Sequence, residues 1–69
     1  MKISVIIPCY NEEQTILKVI KSVHEFLNRY EYEIIIVDDG STDNSKVLLD
    51  EHSRSDEKVE VIYHDINSG

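Results

Sequence analysis

The sequence predicts an α/β fold: a β-α-β-α-β unit whose three strands form one parallel sheet with two helices on one face. Three observations predict it. Two short apolar runs, Ile3 to Ile7 and Tyr32 to Val37, are closed by turn chemistry, as strands buried on both faces are. Between them Ile16, Val19, Ile20, Val23 and Leu27 recur at helical spacing, which marks an amphipathic helix. A third run, Val59 to Tyr63, alternates apolar residues with Glu60, the pattern of a half-exposed edge strand.

In chain order, the first strand is Ile3 to Ile7, ended by Pro8, which has no N–H for a ladder. Asn11 is placed to cap the first helix with Gln14 in the capping-box position, and Glu12 and Glu13 favour its positive end. The helix ends near Asn28 or Arg29. After the second strand, Asp38-Asp39-Gly40 makes a turn, and Ser41, Thr42 or Asp43 caps a second helix. That helix is expected to carry Val47 and Leu48 inward, with Leu49 at the boundary, and to fade near His52. Ser53 to Lys58 is a polar loop, and His64 to Gly69 is a second polar edge.

Right-handed crossovers stepping the same way leave the sheet's other face without cover. Yet Ile6 opposes Ile3, Val5 and Ile7, and Ile35 and Val37 oppose Ile34 and Ile36, so both faces are apolar. Two expectations follow: residues 1–69 are the first part of a longer α/β domain, or the bare face drives self-association with a second copy.

Composition narrows the partners. A formal charge of -7 over 69 residues repels nucleic-acid phosphates and anionic membranes. Only five apolar residues precede Pro8, too few for a membrane span. The lone Cys9 forms no intramolecular disulfide and reads as a small buried hydrophobe without an evident base beside it. A reducing, cytoplasmic setting is the expectation.

The chemistry-bearing residues gather at one edge. Pro8, Tyr10 and Glu12 follow the first strand, Asp38 and Asp39 the second, and parallel neighbours emerge side by side where ligands of open α/β sheets bind. A carboxylate accepts ring N–H groups of uracil or guanine, and a tyrosine packs against a base or ribose. An equally simple reading leaves Asp39 satisfying turn amides, Gly40 supplying a positive φ and Glu12 favouring a helix start. No G-x-G-x-x-G or G-x-x-x-x-G-K-S/T occurs, which excludes a dinucleotide-binding Rossmann unit and a P-loop. Asp38 and Asp39 are adjacent, so they start in opposite directions and make no metal cage alone. His24, His52 and His64 are expected to be surface groups, with no metal pair at i+3 or i+4 spacing. A receiver-like module, with acids that bind a divalent ion and accept phosphate, fits less well because the acid pair follows the second strand.

S-V-I-I-P-C-Y-N-E-E, then a helix, then E-I-I-I-V-D-D-G-S-T-D, resembles the amino-terminal signature of family 2 glycosyltransferases, and among them the dolichyl- or polyprenyl-phosphate sugar transferases. The resemblance implies a GT-A fold, with residues 1–69 as its Rossmann-like nucleotide-binding half. It implies that Pro8, Tyr10 and Glu12 line a nucleotide-sugar pocket, that Val37 contacts base or ribose by its backbone, and that Asp39 bonds the base while Asp38 braces the turn. It further implies an inverting hexosyltransferase using a UDP- or GDP-sugar, an acceptor such as a lipid phosphate or glycan, and Mg or Mn. The D-x-D metal ligands, the catalytic base and the acceptor site of such enzymes have no match here. Asn67-Ser68-Gly69 is similar to the start of the family's next motif.

Overall fold

The computed structural model describes residues 1–64; the Asn67-Ser68-Gly69 motif lies outside them. Its order is β1 (Lys2–Cys9), α1 (Ile16–Leu27), β2 (Glu31–Asp38), α2 (Ser45–Ser55) and β3 (Val59–Tyr63). The strands form one sheet, β1-β2-β3, parallel at both junctions. The expected α/β architecture is the observed one.

β1 runs through Pro8 rather than stopping at it. It is one of the sheet's two edge strands, and because the Asp39 amide donates to the Cys9 carbonyl at 2.9 Å, the ladder uses the residues flanking Pro8. A parallel strand bonds one neighbour through alternate residues, so the missing N–H of Pro8 faces the free edge, where proline is tolerated.

Side-chain alternation then sorts the sheet. Val5, Ile34 and Val59 lie in one cross-strand row, and Ile7, Ile36 and Val61 in the next, all packed in a single core that α1 enters with Ile16 and Ile20 and α2 with Leu49. One shared core places both helices on this face. Ile34, Ile36, Ile20 and Leu49 are fully buried, each worth about 1.5–3 kcal/mol against exposure.

The other face carries Ile6 at 65% exposure and Ile62 at 47%, beside Ile35 and Val37. Nearer the amino-terminal edge it turns polar: the Ser4 hydroxyl donates to Glu33, which also pairs with Lys2 at 3.6 Å.

Three helix details differ from the sequence reading. The inward residues of α2 are Ser45 and Leu49, while Val47 is 55% exposed. The Ser45 hydroxyl is held inward by the Glu12 amide at 3.0 Å; one turn on, Leu49 shares its face, and Val47, about 200° round from Ser45, points away. α2 also continues to Ser55, past His52. On α1, Val19 is 39% exposed and lines an apolar groove of about 720 Å³ with Ile3, Val5 and Phe26. This flank of α1 overhangs β1, which has no strand beyond it among the described residues.

Candidate nucleotide-binding edge

The register pairs Pro8 with Val37 and Cys9 with Asp38, so the loops after β1 and β2 leave the sheet together. Loop backbone amides near a sheet edge need acceptors, and here each loop supplies them to the other. The amides of Asn11, Glu12 and Glu13 donate to Ser41 Oγ, Ser45 Oγ and Asp43 Oδ2 at 3.0, 3.0 and 3.3 Å. In return Asn11 Oδ1 accepts the amides of Thr42 and Asp43 at 2.7 and 3.2 Å.

Asn11 performs this in the left-handed region, at φ 52°, which asparagine tolerates better than most residues. It does not cap α1. The helix begins at Ile16 behind Thr15, with no side-chain cap, and its entry turn is closed by the Thr15 and Ile16 amides on the Glu12 carbonyl. α2 likewise starts behind Asn44 without a side-chain cap, although Asp43 Oδ1 accepts the Ser45 amide at 2.9 Å. Of the residues read as caps, Asn11 and Ser41 serve the neighbouring loop, while Asp43 serves both that loop and the start of its own helix.

The acid pair divides its labour. Asp38 is fully buried and accepts the Ser41 amide and hydroxyl; Ser41 in turn accepts the Asn11 amide, so a chain Asp38–Ser41–Asn11 crosses the edge. Gly40, at φ 79°, makes the turn that brings Ser41 back. Asp39 is exposed, and among the described residues its carboxylate meets His64 Nδ1 at 3.0 Å, an exposed contact worth about 0–1 kcal/mol. A ligand donor displaces such a partner at little cost.

The other predicted residues fall at the same edge. Tyr10, 52% exposed, and Asp39 are the next residues after the paired Cys9 and Asp38. Glu12 lines a shallow depression of about 250 Å³ with Asn11, Glu13 and Asp43. Pro8 and Val37 pair on the bare face one residue below. Val37 sits inside the strand between Pro8 and Ile62, so a ligand would meet it only across the strand end. Cys9 is buried, and burial together with the charge of Asp38 pushes its thiol pKa up, which suits packing and not nucleophilic attack.

Among the described residues, no three acids or histidines of this edge come close enough together to hold a cation. The Asp38 carboxylate is spent on Ser41, and Asp39 is turned to His64. Among the described residues, the group of three side chains close enough to hold a metal is elsewhere: His24, His52 and Asp56. That grouping corrects the expectation that no histidine has a ligand at metal spacing. Asp56 stands four residues after His52 and was legible in the sequence; the approach of His24 from the other helix was not.

A parallel α/β sheet with helices on one side and polar residues clustered beyond the strand ends defines a Rossmann-like ligand-binding unit. The chain belongs to glycosyl transferase family 2, whose family model matches residues 4–69. It is 44% identical over 70 residues to a poly(ribitol-phosphate) beta-glucosyltransferase of Bacillus spizizenii, covering 100% of this chain and 11% of that protein. It is 50% identical over 54 residues to an undecaprenyl-phosphate 4-deoxy-4-formamido-L-arabinose transferase of Proteus mirabilis, covering 72% and 16%. The putative teichuronic acid biosynthesis glycosyltransferase TuaG of Bacillus subtilis is 39% identical over 67 residues, covering 97% and 26%. The chain thus spans between 11% and 26% of the length of these relatives.

Proposed function

We propose that residues 1–69 form the nucleotide-binding part of an inverting glycosyltransferase domain that takes a hexose from a UDP- or GDP-linked donor. The acceptor class is a polyprenyl phosphate or a glycan; the undecaprenyl-phosphate in the name of one relative supports the first. The observation that carries the reading is the stitched edge: five cross-loop hydrogen bonds to backbone amides hold the two loops in register, leaving Tyr10 and Asp39 exposed at adjacent positions.

The Asp39 carboxylate accepts the base N–H, the Tyr10 ring packs on the base or ribose, and Pro8, Val37 and Glu12 shape the walls. None of these side chains is the catalytic base. Mg or Mn supplies neutralisation of the departing diphosphate, and its ligands are not the acids of this edge. A cytoplasmic site belongs to the same reading.

The test is donor kinetics of the intact protein. Asp39→Ala is expected to raise the donor KM about 10–100-fold, the loss of one hydrogen bond to a charged acceptor, with kcat changed much less. A KM unchanged for both UDP- and GDP-sugars would overturn the role of Asp39.

A further inference from the structure

At the sheet's opposite edge, three side chains from separate parts of the chain converge. His24 comes from the last turn of α1, His52 from the last turns of α2, and Asp56 from the residue that ends α2. His24 Nε2 and His52 Nε2 both address Asp56 Oδ2, at 2.6 and 3.0 Å. The three candidate ligand atoms lie within 4.8 Å of one another. Ligands on a tetrahedral zinc ion, with bonds near 2.0–2.1 Å, stand roughly 3.3 Å apart, so small side-chain rotations close the set.

From this geometry we infer that His24, His52 and Asp56 form a binding site for a divalent transition-metal ion of the zinc type, which clasps α1 to α2.

The donor chemistry selects the ion. Two imidazoles and one carboxylate suit zinc and its neighbours, whereas magnesium and calcium favour sets made wholly of oxygen. The groups around the ligands also fit. His24 Nδ1 shares a hydrogen bond with the Tyr32 hydroxyl, which fixes the ring and leaves Nε2 to the metal, as outer partners of ligating histidines do. Asp56 Oδ1 accepts the Lys58 amide at 3.1 Å, leaving Oδ2 as the ligating oxygen.

The side chains are 27%, 30% and 18% exposed, so an ion enters from solvent and keeps water in its fourth position. Lys58 is the opposing cation nearby, but its Nζ sits 4.4 Å over the Tyr32 ring, occupied with the ring face. The site is far along the strands from Tyr10 and Asp39, so it acts on the fold and is independent of the donor reading.

The test uses the intact protein, stripped with chelator and titrated with ZnCl2 alone by calorimetry, then with CoCl2 by visible absorption. Native protein is expected to bind one more equivalent of Zn²⁺ than His52→Ala, to show intense tetrahedral Co²⁺ bands that His52→Ala lacks, and to melt higher with Zn²⁺ but not with Mg²⁺. His52→Cys, which keeps a ligand in place, is expected to retain the equivalent and add a thiolate-to-cobalt charge-transfer band. Equal stoichiometry in native protein and His52→Ala, or a His52→Cys protein without that band, overturns the proposal.

Discussion

The two ends of the sheet solve one problem, tying α1 and α2 to the strands, with opposite chemistry. At the carboxyl edge, side-chain oxygens of Asn11, Ser41, Asp43 and Ser45 are matched to backbone amides. At the amino edge, His24, His52, Asp56 and Tyr32 bond side chain to side chain. An amide has one acceptor to find, and for the part-buried amides of Asn11, Glu12 and Glu13 losing it costs up to about 1–3 kcal/mol. An imidazole–carboxylate contact exchanges its proton for a metal without leaving anything orphaned. The difference bears on both proposals: the stitched end spends its acceptors on its own amides and leaves Tyr10 and Asp39 exposed, while the clasped end presents its fastening groups themselves.

The largest expected effect is at Asp38. Asp38→Ala removes the acceptor of both Ser41 donors in a fully buried position, and a loss of about 3 kcal/mol or more is expected from denaturant unfolding of the intact protein. Asp39→Ala, one residue on, is expected to leave that midpoint within about 0.5 kcal/mol while raising the donor KM as above. Equal destabilisation by the two would erase the division between a bracing and a binding carboxylate.

Leu49→Ala sharpens the helix side of the comparison. Leu49 is fully buried and Val47 is 55% exposed, so Leu49→Ala is expected to cost about 2–5 kcal/mol and Val47→Ala about 0.5 or less. The reverse order would restore the sequence-derived face of α2.

That face shows what the sequence concealed. The strands were legible because four consecutive β-branched residues, Ile34–Val37, admit little else, and the parallel order followed from crossover handedness. The rotation of α2 was not, since its inward positions begin with a polar residue, Ser45, whose reason to be buried is an amide on another loop. Periodicity of apolar residues is blind to such a partner. The same blindness assigned Asn11 to a helix cap when its carbonyl oxygen serves Thr42 and Asp43. The shared edge of Tyr10 and Asp39 was legible because they stand at the strand ends in the sequence itself, where topology alone brings them together.

Asn11 separates bonding from strain at the stitched end. Asn11→Ala loses two accepted amides and keeps the left-handed backbone at φ 52°; about 2 kcal/mol or more of destabilisation is expected. Asn11→Gly loses the same bonds without the Cβ penalty, and is expected to recover about 1 kcal/mol of that. Identical midpoints for the two variants would show that the loop relaxes out of the left-handed region.

The smallest expected effect is an acid one, and it distinguishes a stitch made partly of charge from one made wholly of neutral groups. Burial raises the Asp43 pKa, but the hydrogen bonds it accepts from the Ser45 hydroxyl and amide and the Glu13 amide outweigh this and hold the carboxyl below its ordinary value. A carboxylate lowered in the folded state contributes stability that is present above its unfolded pKa of about 3.9 and lost as pH falls through the folded one. Native protein is therefore expected to lose stability below about pH 4 more steeply than Asp43→Asn, which keeps an oxygen acceptor but no titrating charge. Parallel pH profiles for the two would mean that the Asp43 bonds hold the loops equally well in the neutral form, so that the charge of Asp43 adds nothing to the stitch.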